Sequence, residues 1–220
     1  MDQVIKIIDQ HKLGSIIRYI LENNPSQALP YHSFSHSLWV LYNCYDICKY
    51  EKKDAPKELL IAALFHDFDH TGGFYWLGSD DKNVIRAISR FNECWNYGII
   101  KDDVDKPLVQ RLIFITEYPH REITKMEGEI TTQADDIFQF LTNALRDADM
   151  LQTMRDTQLH DLVAIKEEYF KYMPWKEYTE KSVEFLQSIK FKTKFGLKVG
   201  KELQDEALNR LLQFRHAVFS

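Results

Sequence analysis

The chain has 220 residues, enough for one domain that buries its own core without a disulfide or metal staple. Hydrophobic residues make up 45% and charged residues 28%, ordinary values for a globular protein. With 28 basic against 33 acidic side chains the net charge is -5, which argues against a binder of nucleic-acid polymers but not against small anions drawn by a metal.

Gly and Pro are sparse and apolar residues recur at helical spacing, so helices are predicted from end to end. Val4, Ile7, Ile8, Ile16, Ile17 and Ile20 define a first helix or helix pair, broken near Gly14 and closed by Asn23-Asn24-Pro25. Charges inside the N-terminal stretch MDQVIKIIDQHK do not fit a signal peptide. Gln27 to Ser33 reads as a loop. Ser33 or Ser35 then caps a helix to about Glu51, with Leu38, Leu41, Tyr45 and Cys48 inward. Asp54 and Pro56 open a third helix through LLIAALFHD, apolar nearly all round and therefore central. Thr71-Gly72-Gly73 ends it, and a surface loop follows through Gly78.

Further helices are predicted near 80–97, 105–116, 133–155, 158–172, 175–190 and 199–218. Tyr118 to Thr132 is the most loop-like interior stretch, and Ser188 to Phe195 reads as a short hairpin or an extended connection. No linker divides the chain, so the expectation is one all-α domain over residues 1–220, a compact helical bundle. Cys44, Cys48 and Cys94 form no even disulfide framework, which points to a reducing compartment. Cys44 and Cys48 read as core residues on one helix face. No apolar run approaches the ~20 residues of a membrane span, so a cytoplasmic protein is expected, with no membrane partner; the sequence leaves the oligomeric state open.

Three groups carry the chemistry: Tyr31-His32-Ser33-Phe34-Ser35-His36, His66-Asp67-Phe68-Asp69-His70-Thr71-Gly72, and Asp147-Ala148-Asp149. In the second, an apolar helix delivers five residues of which four are His or Asp. Such a buried end is costly unless its groups are paired or bind a cation. Imidazole and carboxylate together suit borderline divalent metals. His36 lies one turn after His32, so both share a side if the helix already includes His32. Asp147 and Asp149 compete as the more distant carboxylate.

The order H, then H-D, then a distant D, all on helices, resembles the HD-domain superfamily of metal-dependent phosphohydrolases. Within it, Y-H-x-x-x-H and A-A-L-x-H-D-x-D-H-x-G are most similar to the catalytic core of 3′,5′-cyclic nucleotide phosphodiesterases. The matching blocks, about residues 30–73 and 143–153, cover about a quarter of the chain. The resemblance implies a bundle of that type, with His36, His66, Asp67 and Asp149 as metal ligands. Asp149 is preferred over Asp147 because Ala-Asp-Met resembles the family's Ala-Asp-Leu. His32 matches the general acid that protonates the leaving oxygen; Asp69 and His70 match positions that orient it and the ligands, with Asp69 expected to raise the His32 pKa.

The same resemblance implies two divalent ions: manganese, zinc or iron at the first site, magnesium or manganese at the second. Gln213, with Phe214, stands as the counterpart of a base-reading glutamine and aromatic clamp. Ile115-Thr116-Glu117-Tyr118-Pro119-His120 resembles an I-T-x-x-x-H segment of related hydrolases, which puts His120 beside the second metal or the phosphate. Arg146, with Lys82, Arg86 and Arg121, is a candidate grip on phosphate, and Phe74-Tyr75-Trp76 reads as a loop string packed on the core. The expected substrate is a small nucleotide: a 3′,5′-cyclic nucleotide, or alternatively a (deoxy)nucleotide mono- or triphosphate. A non-catalytic metal or nucleotide sensor would lack a ligand or proton donor, and none is missing.

Overall fold

The computed structural model describes residues 2–72, 81–101, 103–117, 133–155 and 157–219, with side chains from 135 onward in the fourth stretch. Among these residues the chain is all-α, with no strand. The helices are α1 Asp2–Gln10, α2 Gly14–Asn23, α3 Phe34–Tyr50, α4 Lys57–Phe65 and α5 Asp81–Asn96. They continue as α6 Lys106–Phe114, α7 Gln133–Gln152, α8 Gln158–Tyr169, α9 Trp175–Ser188 and α10 Lys201–Phe219. Short turns of other pitch occur at Pro25–Ala28 and Gly196–Gly200. No helix among the described residues is long and apolar enough to cross a membrane.

The bundle is organised around α4. Leu59 through Phe65 are all buried, as a helix apolar on every side requires. α3 packs against both α4 and α7, α6 packs on α4, and α9 pairs with α10. Side chains from all ten helices join one hydrophobic cluster. Cys44 and Cys48 lie buried in it from α3.

Several boundaries differ from the sequence reading for local reasons. The break between α1 and α2 does fall near Gly14: Lys12 adopts a φ of 55° and Gly14 begins the second helix. Pro56 stands at the N-cap of α4, one place outside it. α4 stops at Phe65, so His66 and Asp67 occupy the turn beyond it; that turn is made by Asp69 at a φ of 64°. α3 begins at Phe34, which leaves His32 on the approach to the helix. Tyr118 to Thr132 and the string Phe74-Tyr75-Trp76 lie outside the described residues.

The stretch after α9 is an extended connection, not a hairpin. Buried Asp147 on α7 ties it down by accepting from the Lys192 amide at 3.1 Å, the Thr193 amide at 2.8 Å and Thr193 Oγ1 at 2.7 Å. Gly196 is pressed against the same carboxylate: a Cβ there would lie 2.5 Å from Asp147 Oδ2 and 2.7 Å from Phe191 Cβ. Gly196→Ala should therefore destabilise the fold by about 2 kcal/mol, because overpacking forces this connection off α7. Gly14→Ala, with nothing within 4 Å of the added carbon, should leave stability within ~0.5 kcal/mol. Denaturant unfolding of the two variants measures the difference.

Candidate metal centre

The packing of α3 on α4 and α7 brings four side chains from distant parts of the sequence to one point. His36 comes from the first turn of α3, His66 and Asp67 from the turn after α4, and Asp149 from the last turn of α7. His36 Nε2 lies 3.2 Å from His66 Nε2, 3.0 Å from Asp67 Oδ2 and 3.2 Å from Asp149 Oδ1. His66 Nε2 lies 3.1 Å from Asp67 Oδ2 and 3.8 Å from Asp149 Oδ1. Bonds of ~2.0–2.2 Å place neighbouring ligand atoms ~3.0–3.5 Å apart around a four- or six-coordinate divalent ion. Of the donor set, His36, His66 and Asp67 fit one, and Asp149 Oδ1 stands at its edge, 3.2 Å from His36 Nε2 but 3.8 Å from His66 Nε2.

Its chemistry fits as well. His66 Nδ1 donates to the Ala63 carbonyl at 2.9 Å, since a carbonyl can only accept. The neutral ring therefore turns a lone pair inward at Nε2, toward two carboxylate oxygens and a second imidazole. Acceptors meeting acceptors are stable only with protons or a cation between them. His36 Nδ1 is buried without a hydrogen-bond partner among the described residues, so the polar contacts of that ring are those at Nε2.

Asp147, the competing carboxylate, is committed to residues 192 and 193. Two residues apart on a helix means opposite sides, so only one of the pair can face α3 and α4, and that one is Asp149.

Titration follows from the crowding. Burial opposes charge on His36, yet hydrogen bonds donated to Asp149 and Asp67 raise its pKa. Burial likewise opposes charge on His66, but the Asp67 charge and bonds to both carboxylates carry it well above an ordinary imidazole. In return, and against burial, the charge of His66 holds Asp67 well below the carboxylate range, and bonds from His36 and His66 depress Asp149.

A second pair flanks this cluster. His32 turns Nε2 toward Asp67 Oδ2 at 4.0 Å, and its Nδ1 forms a short hydrogen bond with Glu168 Oε1 from α8. Glu168 Oε2 also accepts from the Tyr31 and His32 amides, at 3.0 and 3.2 Å. Gly72 lets α8 come this close: a Cβ on it would stand 3.1 Å from Glu168 Cγ. Burial lowers the His32 pKa, His70 lowers it further, and Asp67 and Glu168 oppose them.

His70 stacks on His32, ring centroids 4.0 Å apart at 17°. Its Nδ1 accepts from the Gly72 amide at 3.0 Å, and its Nε2 meets Asn83 Nδ2 at 3.0 Å and Tyr169 Oη at 3.1 Å. His32, Asp67 and His70 also lie close enough to form a metal-holding group. The engaged nitrogens of His70 and the bond from His32 Nδ1 to Glu168 make it the poorer one.

Three expected roles are corrected. Asp69 does not reach His32: its carboxylate is taken by Arg86 at 2.7 Å and Arg90 at 2.9 Å, and the carboxylate on His32 is Glu168. The His32 pKa accordingly moves down instead of up. Arg86 is thereby held at the turn, its Nε donating to the Asp69 carbonyl. Gln213 is exposed on α10 and does not line the cavity beside the cluster, because the buried face of α10 runs through Gln204, Ala207 and Leu211. Arg146 donates to the Ile115 carbonyl at 2.8 Å and also does not line the cavity. His120 and Arg121 lie outside the described residues.

That cavity, about 540 Å³, is bordered by His32, His66, Asp67 and Asp149 on one side and by α8 and α9 on the other. Comparison with family models, with curated proteins and with solved structures gives no match to this chain.

Elemental analysis should find a divalent ion in the wild type. Asp67→Ala and His66→Ala should each lose it, by more than the ~10–100-fold that outer hydrogen-bond partners cost; undiminished stoichiometry in both removes the cluster as a metal centre. The pH dependence has a sign. In metal-free protein the raised histidines contribute stability that is full below 6.5 and lost as pH rises through their folded values. The depressed aspartates contribute stability present above 3.8 and lost as pH falls. A cation displaces the ring protons, so its thermal stabilisation should grow from pH 6 to pH 8.

Proposed function

We propose that the chain is a metal-dependent phosphohydrolase of the HD type, acting on the phosphodiester of a 3′,5′-cyclic nucleotide or a related nucleotide signal. The observation that carries this reading is the convergence of two imidazoles and two carboxylates beside a half-buried His–Glu pair, at the wall of a cavity large enough for a nucleotide. His36, His66, Asp67 and Asp149 would hold the first ion, manganese, zinc or iron, and Asp67 would share a second, magnesium or manganese. The chemistry such ions would supply is a more acidic water and compensation of charge on the phosphate oxygens.

The remaining work falls to the chain's own side chains. Glu168 accepts a hydrogen bond from His32 Nδ1–H, so chemistry occurs at Nε2, on the side of Asp67. A proton at Nε2 is available to the departing ester oxygen: the P–O bond breaks, its electron pair stays on that oxygen, and the proton neutralises it as water oxygen bonds to phosphorus. Burial against His70 makes the protonated ring a stronger acid than free imidazole, which favours the transfer. Stacking on His70 and the amide bonds to Glu168 keep the ring in place.

A second reading, a (deoxy)nucleotide phosphomonoesterase or triphosphohydrolase, is favoured by one observation: the exposed Gln213 cannot read a base in this cavity. A panel of cyclic mononucleotides, cyclic oligonucleotides and nucleoside mono- and triphosphates with Mn²⁺ or Mg²⁺ separates the two, and silence across it sinks both. His32→Ala should lower kcat on nucleotides by ~10²–10⁴ with metal content unchanged. Its effect on bis(p-nitrophenyl) phosphate, whose leaving group needs no proton, should be much smaller. Equal losses on both substrates would remove His32 as the proton donor.

A further inference from the structure

Opposite the metal-ligand cluster, α8 and α9 each turn one stripe toward the cavity: Asp161, Leu162 and Ile165 from α8, Lys181 and Phe185 from α9. Two of these side chains carry charge, and they differ in kind. Lys181 is exposed and makes no hydrogen bond or ion pair among the described residues. Its hydrated ammonium moves on a flexible stem, so a bond from it separates ligands weakly. Asp161 is half-buried. Thr157 Oγ1 donates to its Oδ2 at 3.0 Å, and its Oδ1 takes no hydrogen bond among the described residues. Burial pushes its carboxyl up, against that bond and the positive charges of His160, His36 and Arg155. A carboxylate can only accept, and one left half-met in a partly dry wall loses free energy that a donor restores. Its place in the first turn of α8 suits the helix dipole, which accounts for the charge but not for an oxygen left open at the cavity wall.

We infer that Asp161 is a specificity-determining residue, whose open carboxylate oxygen accepts a hydrogen bond from an N–H or O–H on the organic part of the nucleotide. Its negative charge repels phosphate, so the group that meets it is the part of the substrate that the phosphate carries. An N–H of the base and a hydroxyl of the ribose supply the same chemistry to the carboxylate. This deepens the phosphohydrolase reading and rests on it for placing the phosphate at the metals. A hydrogen bond to a charged acceptor is worth ~10–100-fold in affinity. Contact with Leu162, Ile165 and Phe185 is blind to the difference between a donor and a lone pair of similar shape, so that factor belongs to Asp161.

The test is calorimetric binding of AMP, GMP and inorganic phosphate to the full chain loaded with Mn²⁺, in the wild type and in Asp161→Asn. The asparagine keeps an oxygen for Thr157 and sets its NH₂ where the open oxygen was, so an acceptor becomes a donor. The affinity of the better nucleotide relative to inorganic phosphate should fall ~10–100-fold. The ratio is the readout, because removal of a negative charge by itself tightens every anion. A merely structural role at the start of α8 lowers stability and leaves the ratio alone. Two analogues distinguish the sources in the wild type. Purine riboside 5′-monophosphate, whose base has no N–H, loses about tenfold or more if the base supplies the donor; 2′,3′-dideoxy-AMP does so if the ribose does. This comparison decides by itself if the variant does not fold. An unchanged ratio in Asp161→Asn, no such loss in either analogue, or no nucleotide binding at all overturns the inference. Turnover of bis(p-nitrophenyl) phosphate by the wild type separates the two layers. Turnover with an unchanged ratio leaves the phosphohydrolase reading standing and ends the inference; a fallen ratio without turnover does the reverse.

Discussion

Two imidazole nitrogens 3.2 Å apart inside a helical core, each also against carboxylate oxygens, repel unless something positive lies among them. Three helices that otherwise exist to bury apolar surface are arranged around that constraint. α4 is a rod buried from Leu59 to Phe65 whose end delivers His66 and Asp67, and α3, packed on both α4 and α7, brings His36 to meet Asp149 of α7 there. The carbonyl of Ala63, one turn back, sets the tautomer of His66, so the helix that supplies the ligands also orients one of them.

The turn after α4 needs its own support, because Asp69 sits in the left-handed region that favours glycine. All its polar groups are pinned: its amide donates to Asn24 Oδ1 at 3.0 Å, its carbonyl and carboxylate take Arg86, and the carboxylate also takes Arg90. The chain thus leaves α4, presents two candidate ligands, reverses at Asp69 and returns His70 beneath the His32 ring. On the far side Glu168 ties that ring to α8, so the second half of the chain completes a site whose other groups come mostly from the first.

Much of this was legible because the chemistry clusters in sequence. LLIAALF followed by four His or Asp within five residues announces a buried helix ending at ionisable groups, and so it does. Asp147 and Asp149 could not be separated by composition, since both adjoin the same apolar pattern. The decision comes from Thr193 and Lys192, some 45 residues away, which claim Asp147. Glu168 was missed because one glutamate in KEEYF reads as solvated surface. Its signal was weak but present: it falls three residues after Ile165 and beside Tyr169, on the cavity side of α8. Gln213 was misplaced by resemblance where periodicity would have corrected it, two residues past buried Leu211 and so on the opposite side of α10. The resemblance pairs Asp69 with His32, but the left-handed turn sends its carboxylate to α5.

X-ray absorption spectroscopy of the chain loaded with one equivalent of zinc or manganese tests the centre most directly. The arrangement predicts two imidazoles and carboxylate oxygen around the ion, with the imidazole signal falling to one in His36→Gln. A shell of oxygen alone, or a spectrum unchanged by that substitution, would contradict it.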